Sequence, residues 1–265
     1  MAYFTRIDGS RFEATAHVGG AWDPADQHIA PAMGLLAHVV ELDRDARRTD
    51  GLVLARLSYD IHGTIPVDVV DTEVRVLRAG RTIELVEALL RHGGRIALSL
   101  RAWLMRRYDT TVLAGSALSS IPGPEEMPSW DPSAVWPGGF VASLEVRRAE
   151  VEPGRAAFWM RPSERLVEGE PVGVTPRAAA LFDLANGMTV RADPREVVFL
   201  NVDLSAHLLD APDGEWLGFD TTVSFGDGGL GITASTIHGV RGAIGTVSQM
   251  LTVRPRGLRG RAGTR

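Results

Sequence analysis

Two stretches decide how this chain is read: Ile96–Arg106, IALSLRAWLMR, and Ile244–Arg254, IGTVSQMLTVR. Both are strand-like, both follow a Gly-containing turn (HGGR, VRGA) and both end in arginine, 148 residues apart. Upstream, LSYDIHGTIP at 57–66 faces VDLSAHLLDAP at 202–212 at an offset near 146, matching His62 to His207 and Pro66 to Pro212. Each match is weak alone. Their near-constant offset marks an internal duplication, which has to be recognised before any element is assigned.

The order of elements repeats as well. Residues 12–23, FEATAHVGGAWD, read as a strand. From His28 to about Arg44 the spacing predicts a helix, with Met33, Leu36, Ala37 and Val40 forming one buried stripe. Strand runs follow at 52–62, 67–78, 82–91 and 95–106. In the second half RAAFWMRP (155–162) is strand-like; Thr175-Pro176 open a helix as N-cap and first-turn proline, and Asn186-Gly187 close it. Its apolar stripe is Leu181, Leu184, Ala185 and Met188. Strand runs return at 197–209, 216–226, 229–238 and 243–254, separated by PDGE, GDGG and GVRG turns. Each unit is then a strand, one long helix and four antiparallel strands. A single helix is best covered by a sheet wrapped around it, and two such sheets can join edge to edge. The expected class is α+β, with units at 1–115 and 140–255, a Pro/Ser/Gly-rich linker at 116–139 and a frayed basic tail at 256–265.

Composition narrows the function. The 265 residues are 45% hydrophobic and 23% charged with a net charge of −5, which suits a protein with a real core and argues against nucleic acid or a membrane surface as partner. Cysteine is absent, which removes disulfides, thiolate metal sites and a cysteine nucleophile and fits a reducing cytoplasm. Lysine is absent too, so Schiff-base chemistry is out. No signal peptide or membrane-length apolar run is visible. The seven histidines have no metal-binding spacing, no cofactor is expected, and FGDGGLG lies between strands rather than before a helix, where a phosphate loop would stand.

At this point the sequence resembles a known family. One helix wrapped by a sheet is the hotdog unit, and two in tandem resemble the double-hotdog acyl-CoA thioesterases of type II. NVDLSAHL, GEWLGFDTTVSFGDGGLG and GAIGTVSQMLTVR carry the likeness. The resemblance implies hydrolysis of acyl-CoA thioesters, a possible homodimer, and a site made of an acid on the first strand after the second helix, a hydroxyl beyond GEW-L and a glutamine in the last strand. On this chain those positions are Asp203, Ser224 and Gln249. The Gly-Gly-Gln helix opening of that family is replaced by Gln27-His28-Ile29-Ala30-Pro31.

Read on their own chemistry, these residues keep alternatives. Asp203 shares a strand face with Asn201, Ser205 and His207, which suits either a solvated face or a general base. Gln249 is a lone amide among Ala243, Val247, Leu251 and Val253, so it either bonds backbone or holds a water. Its repeat counterpart, Arg101, is no base. Asp183 and Asn186, three apart and off the helix stripe, form a solvent-facing pair or an acid site. His28 caps or packs the first helix, or meets substrate. Unpaired amides at Ala30–Ala32 or Thr175–Arg177 could hold an oxyanion. An acyl groove is expected along Met33, Leu36, Phe182 and Trp216. Two rivals remain: a hydratase, for which Asp23 to His28 keep a spacing but lack the Asn and Pro, and a non-catalytic acyl-CoA binder.

Overall fold

The computed structural model describes residues 1–257, so most of the expected basic tail lies outside the described residues. The first unit runs β1 (Ala2–Arg6), β2 (Arg11–Ala14), α1 (Ile29–Arg47), β3 (Val53–Ile61), β4 (Val69–Arg78), β5 (Ile83–His92) and β6 (Arg95–Met105). A connecting segment carries β7 (Ser129–Trp130) and the single turn α2 (Gly139–Ala142). The second unit runs β8 (Leu144–Glu152), β9 (Arg155–Pro162), β10 (Arg165–Val167), α3 (Val174–Phe182), α4 (Ala185–Met188), β11 (Val197–Asn201), β12 (Asp203–Leu208), β13 (Leu217–Phe225), β14 (Leu230–Gly239) and β15 (Gly242–Pro255).

All these strands form one sheet in the order β10-β1-β2-β4-β5-β6-β3-β12-β15-β14-β13-β9-β8-β7, with β11 also on β15. Read outward from its centre, β3-β6-β5-β4-β2-β1 matches β12-β15-β14-β13-β9-β8 strand for strand. The halves join through the antiparallel pair β3–β12, where Ser58 lies opposite Ser205 and their hydroxyls bond at 2.7 Å. Those two residues are 147 apart, the offset of the duplication, so the pair sits on the axis relating the halves. The outer edges are short: β10 adds in parallel to β1, and β7 covers β8, which limits exposed strand edges.

The two central helices cross inside the wrapped sheet. Every residue from Ala30 to Val40 is buried, more than the single stripe expected, because α3 covers the side that the sheet leaves open. The close approach is made at Gly34, where an added Cβ would stand 2.6 Å from Ala180 Cβ and 2.9 Å from the Pro176 carbonyl oxygen.

Three local expectations are corrected. The run 12–23 is strand only to Ala14, after which Thr15 caps a short 3₁₀ turn. The second helix is capped at Gly173 rather than Thr175, and it breaks at Asp183 instead of running on to Asn186-Gly187, which sit inside α4. The 116–139 segment is packed in part: Trp136 is buried, and its Nε1–H donates to the Gly187 carbonyl at 2.8 Å.

Candidate active site

The alternation of burial along β11 and β12 sets the site. Asn201 pairs with Leu251, but Ser205 pairs with Ser248, so one extra residue is absorbed at Val202 as a β-bulge. Before the bulge Phe199 points inward; after it Leu204 and Ala206 do. A strict period of two carries Asn201 onto the same face as Asp203, whereas the bulge turns Asn201 toward the helices.

There it meets Asp183, the residue at the break between α3 and α4. The run AAALF ahead of it is buried throughout, so this helix has no solvent side near its end, and Asp183 is 5% exposed rather than solvent-facing. Its Oδ1 accepts from Asn201 Nδ2 at 2.6 Å and from Gln249 Nε2 at 3.0 Å; Gln249 Nε2 also lies 3.3 Å from the Asp183 carbonyl oxygen. Its Oδ2 makes no hydrogen bond among the described residues. His28 Nδ1 lies 3.8 Å from it, beyond hydrogen-bond reach. Burial pushes the Asp183 carboxyl up to about 6, against the two amides that favour its ionised form.

His28 is the N-cap of α1. Its Nδ1 accepts from the Ala30 N–H at 3.2 Å, and its ring packs on Phe140 with centroids 4.9 Å apart. Burial pulls its pKa down to about 4, so the imidazole is neutral at neutral pH.

Asp183 and His28 open onto a cleft of about 410 Å³. The first half supplies residues 20–23, 26–29 and the turn 61–65; the second supplies 183–184, 186–188, 199–202 and Thr252. Asn186 lines it, and Trp22, Trp136 and Phe199 form one wall, edge to face at 5.0–5.8 Å. A larger cavity, about 670 Å³, lies at the start of α3, but its carboxylates are taken up by ion pairs: Glu145 and Glu215 with Arg161, Glu164 with the N-terminal amine, Glu170 with Arg6 and His38. A paired carboxylate is a poor base, so the smaller cleft is the better candidate.

Asp203, Ser224 and Gln249 are not brought together. Asp203 closes the bulge, its Oδ1 accepting the Met250 N–H at 2.7 Å that the irregular ladder would otherwise leave unpaired. Ser224 is exposed on the outer face of β13, opposite Ile232. Gln249 is buried and turns inward to Asp183 instead; the hydroxyl beside it across the ladder is that of Thr233, fully buried like the amide. Met33, Leu36 and Phe182 are sealed in the core and line neither cavity, and the Met33 carbonyl accepts from Tyr59 at 2.9 Å. Trp216 lines the larger cavity, under the Arg161 guanidinium. The expected acyl groove therefore does not run along those four residues. The sequence held two overlooked signals. Asp183 is the one charged residue between Ala178 and Met188, and the bulky Phe199 falls on the parity assigned to the polar face.

Among the described residues no helix is long and apolar enough to cross a membrane, and no three acidic or histidine side chains gather as a metal site. Comparison with known proteins gives a consistent answer. The family model described as the acyl-CoA thioesterase N-terminal domain matches residues 18–105, and the one described as the acyl-CoA thioesterase C-terminal domain matches 121–253. A search of curated proteins finds no match. Among solved structures, the fold is similar to an acyl-CoA thioesterase II from Mycobacterium marinum, at 14% identity over 97% of this chain and 96% of that one with a TM-score of 0.66. It is also similar to a tesB protein from Mycobacterium avium (20% identity, 95% and 96% covered, TM-score 0.64) and to a hotdog-fold protein of unknown function from Alicyclobacillus acidocaldarius (16%, 94% and 95%, 0.72). With both of its halves matched in order, the chain belongs to the acyl-CoA thioesterase family: it is a double-hotdog thioester hydrolase.

Proposed function

We propose that this protein hydrolyses acyl-CoA thioesters by direct attack of water, with Asp183 as general base. The observation that carries the reading is the asymmetric environment of one carboxylate. Two amides hold Oδ1, while among the described residues Oδ2 has no hydrogen-bond partner where Asp183 lines the cleft. Asn201 and Gln249 are positioning residues. They fix the carboxylate's rotation and keep it ionised at neutral pH despite its burial. A base with a pKa near the operating pH combines a useful ionised fraction with real driving force for proton transfer.

In the first step a water oxygen bonds to the thioester carbon, its proton passes to Asp183 Oδ2, and the carbonyl π pair moves onto oxygen. In the second the C–S bond breaks, the carbonyl reforms, and the departing thiolate takes the proton back from Asp183. The products are the free acid and CoA, and the carboxylate is regenerated.

The test is thiol release from a panel of acyl-CoAs, short to long, followed with a thiol reagent. Wild type should release CoA from part of the panel. Asp183→Asn, which keeps Oδ1 as acceptor for both amides, should lower turnover by about 10²–10⁴-fold, the usual contribution of a general base. Ser224→Ala should stay close to wild type. Unchanged release by Asp183→Asn would sink the assignment of the base.

A further inference from the structure

The cleft contains a second polar group that the reaction above leaves unused. We infer that His28 is a catalytic residue: as a neutral imidazole it donates its Nε2–H to the thioester carbonyl oxygen and to the oxyanion that replaces it. This rests on the reading of Asp183 as base and adds the group that the base requires across from it.

The tautomer follows from the cap. Nδ1 accepts the Ala30 N–H at 3.2 Å, and an accepting ring nitrogen carries no proton. The only proton of the neutral ring is therefore on Nε2, which has no partner among the described residues although the ring lines the cleft. The same bond excludes a His–Asp relay. Such a dyad needs Nδ1–H directed at the carboxylate, whereas here Nδ1 presents a lone pair to Ala30 and lies 3.8 Å from Asp183 Oδ2.

The environment keeps the ring neutral. It is largely covered, with its ring packed on Phe140, and it sits on the N-terminus of α1, whose partial positive charge disfavours a cation. Of the titratable groups at the cleft, Asp183 opposes this by favouring the imidazolium, and Asp23, Asp26 and His62 also line the walls; burial is the dominant influence on His28. A neutral imidazole that holds its proton at working pH polarises a carbonyl without being consumed as an acid.

The backbone gives a further reason. Of the amides at Ala30–Ala32 considered as oxyanion donors, that of Ala30 is spent on His28 and Pro31 has none. The imidazole thus extends the helix terminus by one ring. It takes a hydrogen bond from the terminus on one nitrogen and offers one to substrate from the other.

Two measurements on the full-length protein decide this. In His28→Asn a strong N-capping residue replaces the histidine, but its shorter amide withdraws the donor from the cleft. The expected result is a fall in kcat of about 10²–10³-fold with KM changed little and the acid limb of the pH profile kept, as when one oxyanion donor is removed. A near-wild-type kcat would reduce His28 to a cap and overturn the inference. Should the variant fold poorly, nitrogen NMR of ¹⁵N-histidine-labelled wild type decides instead. The Nε2–H tautomer at pH 7, persisting to about pH 5, is expected from the cap and burial; imidazolium or the Nδ1–H form at pH 7 would overturn it. A fully active Asp183→Asn would instead refute the base, which these measurements do not probe.

Discussion

Asp183 is held between opposing influences, and each can be removed separately. Burial raises its pKa, while amide donors from Asn201 and Gln249 lower it. The rate should therefore fall below about pH 6 as Oδ2 is protonated, which a kcat/KM profile from pH 4.5 to 8.5 would reveal. Asn201→Ala removes the 2.6 Å donor and leaves burial in place, so the acid limb should move to higher pH, by about one pH unit for a hydrogen bond to a charged group. A limb that stays in place or moves to lower pH would contradict the proposed part played by Asn201. The same carboxylate costs stability. Its folded pKa lies above its unfolded value, so the folded state binds more protons between about pH 4 and 6, and stability is lost as pH rises through that window. At pH 8 the full cost applies, and Asp183→Asn should stabilise the protein by up to roughly 2–3 kcal/mol while slowing turnover by the factor given above; the gain should vanish below about pH 4. Urea titrations of the two proteins at pH 8 and pH 4 would measure it. Equal stability at both values would mean that the site is better solvated than its burial implies.

At the scale of elements, Gly34 tests how tightly α1 and α3 cross. In an exposed helix, Gly→Ala is worth about 1 kcal/mol in its favour. Here the new methyl would overlap the Ala180 methyl and the Pro176 carbonyl, and backbone yields poorly. Overpacking of a dense core costs about 1–3 kcal/mol, so the net sign should be destabilising, read as a lower urea midpoint. A stabilised Gly34→Ala would mean that the helices cross more loosely. Elements of this kind were largely legible in the sequence. Alternating runs placed β3 to β6 and β13 to β15 within about two residues, and read β11 and β12 as one run, since a half-buried strand writes its burial into period two. What the period could not express was its own interruption. The bulge at Val202 turned Asn201 inward, and the break at Asp183 ended a helix whose apolar pattern ran on through Met188. Both irregularities sit at the site, where local pattern yields to the needs of a polar cluster in an apolar core. Gln249 could be recognised as an odd amide, but its partner lies on another element 66 residues away, and no spacing rule reaches that far.

For the whole molecule, the proposed site occupies one of two positions related by the duplication, and it draws on both halves. His28 and the 61–65 turn come from the first, Asp183, Asn201 and Gln249 from the second. The halves are held together by the β3–β12 ladder, the α1–α3 crossing and β10 added to β1, none of which depends on the covalent connection. That connection leaves β6 through residues 107–118, which are exposed throughout and line no part of the cleft. A protease site inserted between Leu113 and Gly115 should therefore be cut without loss of function. Cutting raises the entropic cost of assembly but removes no packed contact, so the two fragments should co-elute in gel filtration and keep a thioester-releasing rate within about twofold of the uncut protein, provided the concentration exceeds their dissociation constant. Fragments that separate in native buffer, or a rate that collapses on cutting while they remain associated, would show that the connection itself shapes the cleft. Residues 116–265 expressed without the first half should release no thiol at all, because Asp183 would face solvent across a missing wall and the β12 edge would be open to aggregation.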